Sequence, residues 1–80
     1  MVIKLVLGEL RELSAYRKTP HSKNGFHRCL LVLSQRIDDG TGILDLDNED
    51  INRLARYAKT GYKKPVLSIF GRTLGAILQP

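Results

Sequence analysis

The stretch FHRCLLVLSQRI, from Phe26 to Ile37, decides the fold that the sequence predicts. Its residues Cys29 to Leu33 form an unbroken apolar run. A strand with one face in water would alternate polar and apolar residues, so the run indicates burial on both faces. Leucine also favours helices, which keeps a helix open as the alternative. Because the run is short and follows Asn24-Gly25, a pair typical of turns, we predict a central β-strand.

The N-terminal part of the chain is predicted to pair with this strand. Val2 to Leu7 alternates in a way that indicates a first strand, and its β-branched residues favour that structure. Glu9 to Tyr16 fits either a helical turn or a continued strand, and its alternation favours the strand. Arg17 to Gly25 is predicted to be a loop, because Pro20 fixes the backbone and removes a hydrogen-bond donor. The expected result is a long antiparallel hairpin with a basic tip.

The clearest local pattern indicates a helix from about Asn48 to Thr60. Asp47 is a good N-cap, and Asp50 three positions later completes a variant of the capping box. Gly61 is a typical residue just beyond a helix end. The apolar positions between these signals repeat with helical spacing, and they are Ile51, Leu54, Ala55 and Ala58.

Shorter elements complete the predicted fold. Asp38 to Gly42 is rich in turn residues, and Ile43 to Leu46 follows as a short third strand. Pro65 suits the first turn of a helix, but two glycines weaken that pattern, so residues 66–78 are either helix or strand. The predicted fold is an α+β domain with a small three-stranded antiparallel sheet. One main helix, about 48–60, packs on this sheet, and residues 1–80 form a single domain.

Composition limits where the protein is expected to act. No apolar stretch approaches the roughly 20 residues that a membrane-spanning helix needs. The first segment, MVIKLVLGEL, has Lys4 as its one basic residue, and Glu9 interrupts it before any small-residue cleavage site, unlike a signal peptide. The single cysteine, Cys29, excludes an intramolecular disulfide. We therefore expect a cytoplasmic protein with no membrane partner.

Charge is arranged along the chain in blocks. There are 13 Lys and Arg against 8 Asp and Glu, which gives a net charge of +5. No carboxylate occurs between Leu13 and Ile37 or between Ile51 and Pro80, whereas six of the eight lie between Asp38 and Asp50. This asymmetry indicates an anionic partner, either nucleic acid or an acidic protein surface. The alternative is that the acidic block pairs with the basic blocks inside the fold.

Residues suited to catalysis or metal binding are sparse. A metal site would need more ligands than His21, His27 and Cys29 provide. The D-x-D-x-E pattern over residues 45–49 resembles the start of a calcium loop, but it lacks the later glycine and glutamate that such a loop needs. No phosphate-binding loop, dinucleotide fingerprint or nucleophile elbow is present. We therefore expect a non-enzymatic protein with no cofactor.

Nucleic-acid binding is the activity that the sequence favours most. Basic side chains contact phosphates, and tyrosine rings stack on bases. Both basic blocks supply such residues, the first at the predicted hairpin tip and the second on the predicted helix and the loop after it. The candidate contact residues are Tyr16, Arg17, Lys18, Lys23, Arg28, Arg53, Arg56, Tyr57, Lys63 and Lys64.

The C-terminal part of the chain also carries a resemblance. The segments NRLARYA (52–58) and IFGRTLG (69–75) resemble small uncharacterised phage and prophage proteins. The resemblance implies a mobile-element origin and supplies no known activity. Small phage proteins of this size are often inhibitors of host defence, including anti-CRISPR proteins. An inhibitor that docks on a host protein is therefore the second hypothesis, and the oligomeric state, a homodimer included, is left open.

Overall fold

The computed structural model describes residues 1–19 and 24–78, and their fold is mostly helical. Two short strands, β1 (Val2–Lys4) and β2 (Ile43–Asp45), form a two-stranded sheet. The helices are α1 (Leu7–Ser14), α2 (Gly25–Arg36), α3 (Asn48–Lys59) and α4 (Lys63–Leu78), and a 3-10 turn spans Ala15–Lys18. The predicted three-stranded sheet with one main helix is therefore wrong, because two segments predicted as strands are helices.

The larger of the two corrections concerns helix α2, which lies where the central strand was predicted. The buried residues of this segment follow a helical period, and they are Phe26, Leu30, Leu33, Ser34 and Ile37. Val32, in the middle of the apolar run, is 45% exposed. Asn24 caps the helix, because its side-chain oxygen accepts a hydrogen bond of 2.8 Å from the His27 N–H. The Asn-Gly pair thus begins a helix and does not close a hairpin.

Helix α1 occupies the segment predicted as a continued strand. Glu9 accepts a hydrogen bond of 2.9 Å from the Val6 N–H, which satisfies one of the free donors at the helix start. Leu13 is fully buried and Leu10 packs partly against the core, so these two leucines follow helical spacing and not the alternation of a strand. The first strand consequently ends at Lys4, and no long hairpin forms.

The two strands pair antiparallel and cover one side of the core. Ile3 lies opposite Leu44, and both side chains are buried, whereas the flanking residues of each strand are exposed. The third predicted strand is therefore present as β2. Gly42 lies just before β2 with a φ of +76°, and a Cβ there would lie 2.5 Å from the Leu5 carbonyl oxygen, so the position requires glycine.

Helix α3 confirms the predicted helix closely. Asp47 accepts a hydrogen bond from the Asp50 N–H at 2.8 Å, and Asp50 accepts one from the Asp47 N–H at 3.0 Å, which is a reciprocal capping box. Ile51, Leu54 and Ala58 are buried along one face. This helix packs mainly against α4.

Helix α4 resolves the C-terminal alternatives in favour of a helix over residues 63–78. Its buried residues are Val66, Ile69, Phe70, Leu74 and Leu78. Pro65 lies in its first turn, where a missing N–H costs no hydrogen bond. Arg72 ties α4 to the N-terminal elements, because its guanidinium donates to Glu9 at 3.0 Å and to the Lys4 carbonyl at 2.5 Å. None of the helices over the described residues is long and apolar enough to cross a membrane.

Candidate nucleic-acid interface

Helices α2 and α3 run antiparallel, and contacts at both ends fix their relative position. At one end the Arg36 guanidinium donates to the Asp50 carboxylate at 2.6 Å. At the other end the rings of Phe26 and Tyr57 lie edge to face, with centroids 5.3 Å apart. The N-terminus of α2 therefore lies beside the C-terminus of α3.

An aromatic cluster gathers four elements around Phe26. Tyr62, just before α4, stacks on Phe26 with a centroid distance of 4.2 Å. Tyr16, from the 3-10 turn, meets the Phe26 ring edge to face at 6.4 Å and the His27 ring at 5.3 Å. Such ring pairs add to the stability gained from buried area. The cluster thus holds the start of α2, the end of α3 and the start of α4 at one end of the molecule.

Five exposed cations belong to the same three helix ends as the clustered rings. Each of them is an exposed residue close in sequence to a clustered ring, and we call the set the basic end: Arg28, Arg56, Lys59, Lys63 and Lys64. Four of these five residues are sequence candidates, and Lys59 joins them. The two basic blocks of the sequence, separated by the acidic block, are therefore adjacent in the fold.

Each side-chain carboxylate of the chain has a partner within the fold. Asp39, Asp50 and Glu49 pair with Arg17, Arg36 and Arg53, so the acidic block does neutralise part of the basic blocks. The remaining carboxylates accept hydrogen bonds or pair elsewhere, and they are Glu9, Glu12, Asp38, Asp45 and Asp47. No carboxylate of the described residues contacts Arg56, Lys59, Lys63 or Lys64. These four cations of the basic end therefore keep their positive charge.

Arg17 has a structural role that no local sequence pattern indicates. Its guanidinium forms two hydrogen bonds of 2.7 Å with the Asp39 carboxylate. Its Nε donates to the Ser34 carbonyl, also at 2.7 Å. Lys18 is exposed on a shallow cleft that Asp39 also lines. Lys23, the remaining candidate of the predicted hairpin tip, lies outside the described residues.

These contacts predict that replacing Arg17 and replacing its neighbour Lys18 have different effects on stability. We expect Arg17→Ala to lower the melting temperature, because it leaves Asp39 unpaired and removes a donor from the Ser34 carbonyl. Lys18→Ala removes the same charge next to it and should leave the melting temperature nearly unchanged. Thermal unfolding followed by circular dichroism measures both variants. Equal melting temperatures for the two would show that the Arg17 contacts contribute nothing to the fold.

The two candidate tyrosines, Tyr16 and Tyr57, are half-buried and have ring partners, as does Tyr62 beside them. Tyr57 and Tyr62 meet edge to face, with centroids 5.7 Å apart, and both pack against Phe26. Burial, together with the nearby Glu12 carboxylate, raises the pKa of Tyr16, so its phenol stays neutral. Each ring presents only its outward part to a ligand, and none projects freely from the surface.

A cleft of about 300 Å³ opens between α2 and α3, next to the basic end. Its lining comes from both helices: Gly25, Arg28, Cys29, Val32, Leu33, Asp50, Arg53 and Tyr57. Burial raises the pKa of the Cys29 thiol, with a further rise from Asp50, although Arg53 and Arg36 oppose it. Cys29 is therefore a thiol and not a thiolate nucleophile at neutral pH. No group of metal-binding side chains is found among the described residues.

Asp50 lines this cleft as a buried carboxylate, 5% exposed. Burial alone would raise its pKa, but hydrogen bonds from the Arg36 guanidinium and the Asp47 N–H outweigh burial and hold the pKa below its ordinary value. Because the folded-state pKa is depressed, ionised Asp50 stabilises the fold above the ordinary aspartate pKa of about 3.9. That contribution is lost as the pH falls through the lower, folded-state pKa.

The pKa of Asp50 predicts a pH dependence of stability. We expect the unfolding free energy of the wild type to fall as the pH drops below about 4. Asp50→Asn should be less stable at neutral pH and should lose less stability over that acid range. Urea unfolding at a series of pH values compares the two proteins. Identical acid slopes would contradict the role given to Asp50.

The chain was also compared with known proteins. No family model, no curated protein and no solved structure matches it. The resemblance to phage and prophage proteins therefore stays a prediction.

Proposed function

We propose that this protein is a non-enzymatic nucleic-acid-binding module that contacts the phosphate backbone through its basic end. The observation that carries the proposal is the aromatic cluster, which brings the ends of three helices together with exposed cations of both basic blocks. No carboxylate of the described residues pairs with Arg56, Lys59, Lys63 or Lys64, so these cations attract anions.

The position of Lys63 and Lys64 supports this proposal further. Both are exposed in the first turn of α4, and that turn contains no acidic residue. Cations near a helix N-terminus oppose the helix dipole, so these two lysines do not favour the fold. Phosphate contacts supply a reason for them, because a phosphate meets both the ammonium groups and the positive end of the helix.

A titration at several salt concentrations tests the proposal. Fluorescently labelled single-stranded and duplex DNA and RNA are titrated with protein, and anisotropy reports binding. Affinity should fall as salt rises, since each phosphate contact releases counterions. Lys63→Ala/Lys64→Ala should weaken binding by roughly tenfold or more at low salt and reduce the salt slope by about 1–2.

A charge-matched variant serves as the control. Lys4→Ala/Arg11→Ala removes the same charge from exposed positions on β1 and α1, away from the basic end. It should bind much more tightly than the Lys63/Lys64 variant. Equal loss in both variants would show that net charge, and not the basic end, determines binding. No binding to any nucleic acid at low salt would rule out the proposed function.

One further surface favours the second candidate function, in which this protein docks on another protein. Val2 is 65% exposed, Val6 52%, Leu7 61% and Ile43 44%. These apolar side chains lie on and just after the outer face of the sheet, and exposed apolar patches mark protein interfaces.

Leu7→Lys should abolish capture of a host protein from a nuclease-treated lysate. Sedimentation of the wild type and of Leu7→Lys shows whether the patch instead joins two copies of this chain. If Leu7→Lys matches the wild type in both lysate capture and sedimentation, the second candidate function is ruled out.

A further inference from the structure

The cleft between α2 and α3 has two helical stripes as its walls. On α2 the lining residues recur one turn apart, from Gly25 through Arg28 and Cys29 to Val32 and Leu33. On α3 the facing stripe runs in the opposite direction along the cleft, through Asp50, Arg53 and Tyr57. Apolar and charged groups therefore line one elongated space.

A contact between the two helices lies near each end of the cleft. At the basic end the Tyr57 hydroxyl lies so close to Gly25 that a Cβ on that glycine would be 2.8 Å from the hydroxyl oxygen. At the far end Arg36 bonds Asp50 and joins the two helices. The volume, about 300 Å³, is at the lower limit of small-molecule pockets, so the cleft fits a group of the size of one nucleotide.

Asp50 provides the cleft with a hydrogen-bond acceptor. Its Oδ2 accepts from the Arg36 guanidinium and the Asp47 N–H, whereas Oδ1 accepts no hydrogen bond from the described residues. Because Asp50 lines the cleft, this oxygen can accept a hydrogen bond from a ligand N–H group. Among the described residues Arg53 donates to Glu49 through one Nη, and its other guanidinium N–H groups can donate to an anion.

We propose that this cleft takes one base of a single-stranded nucleic acid bound at the basic end. The base lies between Val32 and the Tyr57 ring, its exocyclic amino group donates to Asp50 Oδ1, and the adjoining phosphates meet Arg28 and Arg53. This inference rests on the proposed function and specifies its ligand as single-stranded. Arg28 and Tyr57 carry the connection, because they belong to the cleft and also lie at the basic end.

The single thiol of the chain reports whether the cleft is occupied. Cys29 is half-buried in the cleft lining, so a base in the cleft shields it from N-ethylmaleimide. We expect oligocytidine to slow alkylation at least tenfold, and an abasic strand of the same length to leave the rate unchanged. Oligouridine, which has a carbonyl in place of the amino group, should bind several-fold more weakly than oligocytidine.

A cleft-filling variant supplies a second test with its own control. Val32→Phe adds a ring at an exposed position of the cleft and changes no charge. It should reduce oligocytidine affinity to that of the abasic strand and leave the abasic affinity unchanged. Gln35→Phe, on an exposed position of α2 outside the cleft lining, should bind oligocytidine like the wild type.

The outcomes separate this inference from the proposed function. If strands bind by anisotropy but Cys29 reacts at its free rate, the inference is overturned and the proposed function stands. If no strand binds, the proposed function fails, and cytidine monophosphate alone is tested at high concentration. Protection of Cys29 by the monophosphate would keep the cleft as a nucleotide site, whereas an unchanged rate would overturn it.

Discussion

Phe26→Ala is expected to lower the free energy of unfolding by about 3–5 kcal/mol, the range for removing a buried phenylalanine ring. Phe26 is 6% exposed and contacts three tyrosine rings, one of them stacked at 4.2 Å. Its loss opens a cavity and also removes the ring pairs that join three helix ends. Because a domain of this size has a small stability margin, the variant should be partly unfolded at room temperature.

Urea unfolding measures this effect, with Phe26→Leu as the matched variant. Leucine keeps an apolar side chain in the cavity but forms no ring pairs, so its stability should lie between those of wild type and Phe26→Ala. If Phe26→Leu is folded, it should also bind nucleic acid more weakly, because the basic end is less well fixed. Wild-type stability in Phe26→Ala would show that the cluster does not hold the helix ends.

Leu54→Ala is expected to destabilise the protein by ~2–5 kcal/mol. Leu54 is fully buried on the inner face of α3, which packs against α4. The truncation leaves a cavity that the neighbouring helix cannot fill without moving. Urea unfolding gives the difference in free energy.

An exposed apolar residue gives the control for Leu54. Ile77, on α4, is 44% exposed, so Ile77→Ala removes a side chain of similar size that is much less buried. Ile77→Ala should lower the free energy of unfolding far less than Leu54→Ala does. Comparable losses at the two positions would mean that the inner face of α3 has been assigned incorrectly.

Helix α3 could be predicted from the sequence because all its signals are local. Asp47 and Asp50 form the capping box within four residues, and the apolar stripe repeats at helical spacing. Helix α2 could not be predicted in the same way. Its apolar run from Cys29 to Leu33 has no strong period, and only packing decides that Leu30 and Leu33 are buried while Val32 is exposed.

The candidate site shows the same division between local and tertiary information. The positions of the charge blocks along the sequence made Arg28, Arg56, Lys63 and Lys64 candidates. Their adjacency depends on Phe26, whose contacts with Tyr57 and Tyr62 cross more than thirty residues of sequence. The cleft beside them depends equally on the antiparallel arrangement of α2 and α3. Because residues 26–37 were predicted to be a strand, a cleft between two helices could not be predicted.

The central claim, that the basic end contacts nucleic acid, is tested most directly by an NMR titration. Amide signals of ¹⁵N-labelled protein are followed while a short single strand is added at low salt. The claim predicts the largest shifts at Arg28, in residues 56–64 and along the cleft at Cys29 and Arg53, with β1 (Val2–Lys4) unaffected. Shifts confined to β1 and Leu7, or no shifts in any signal, would contradict it.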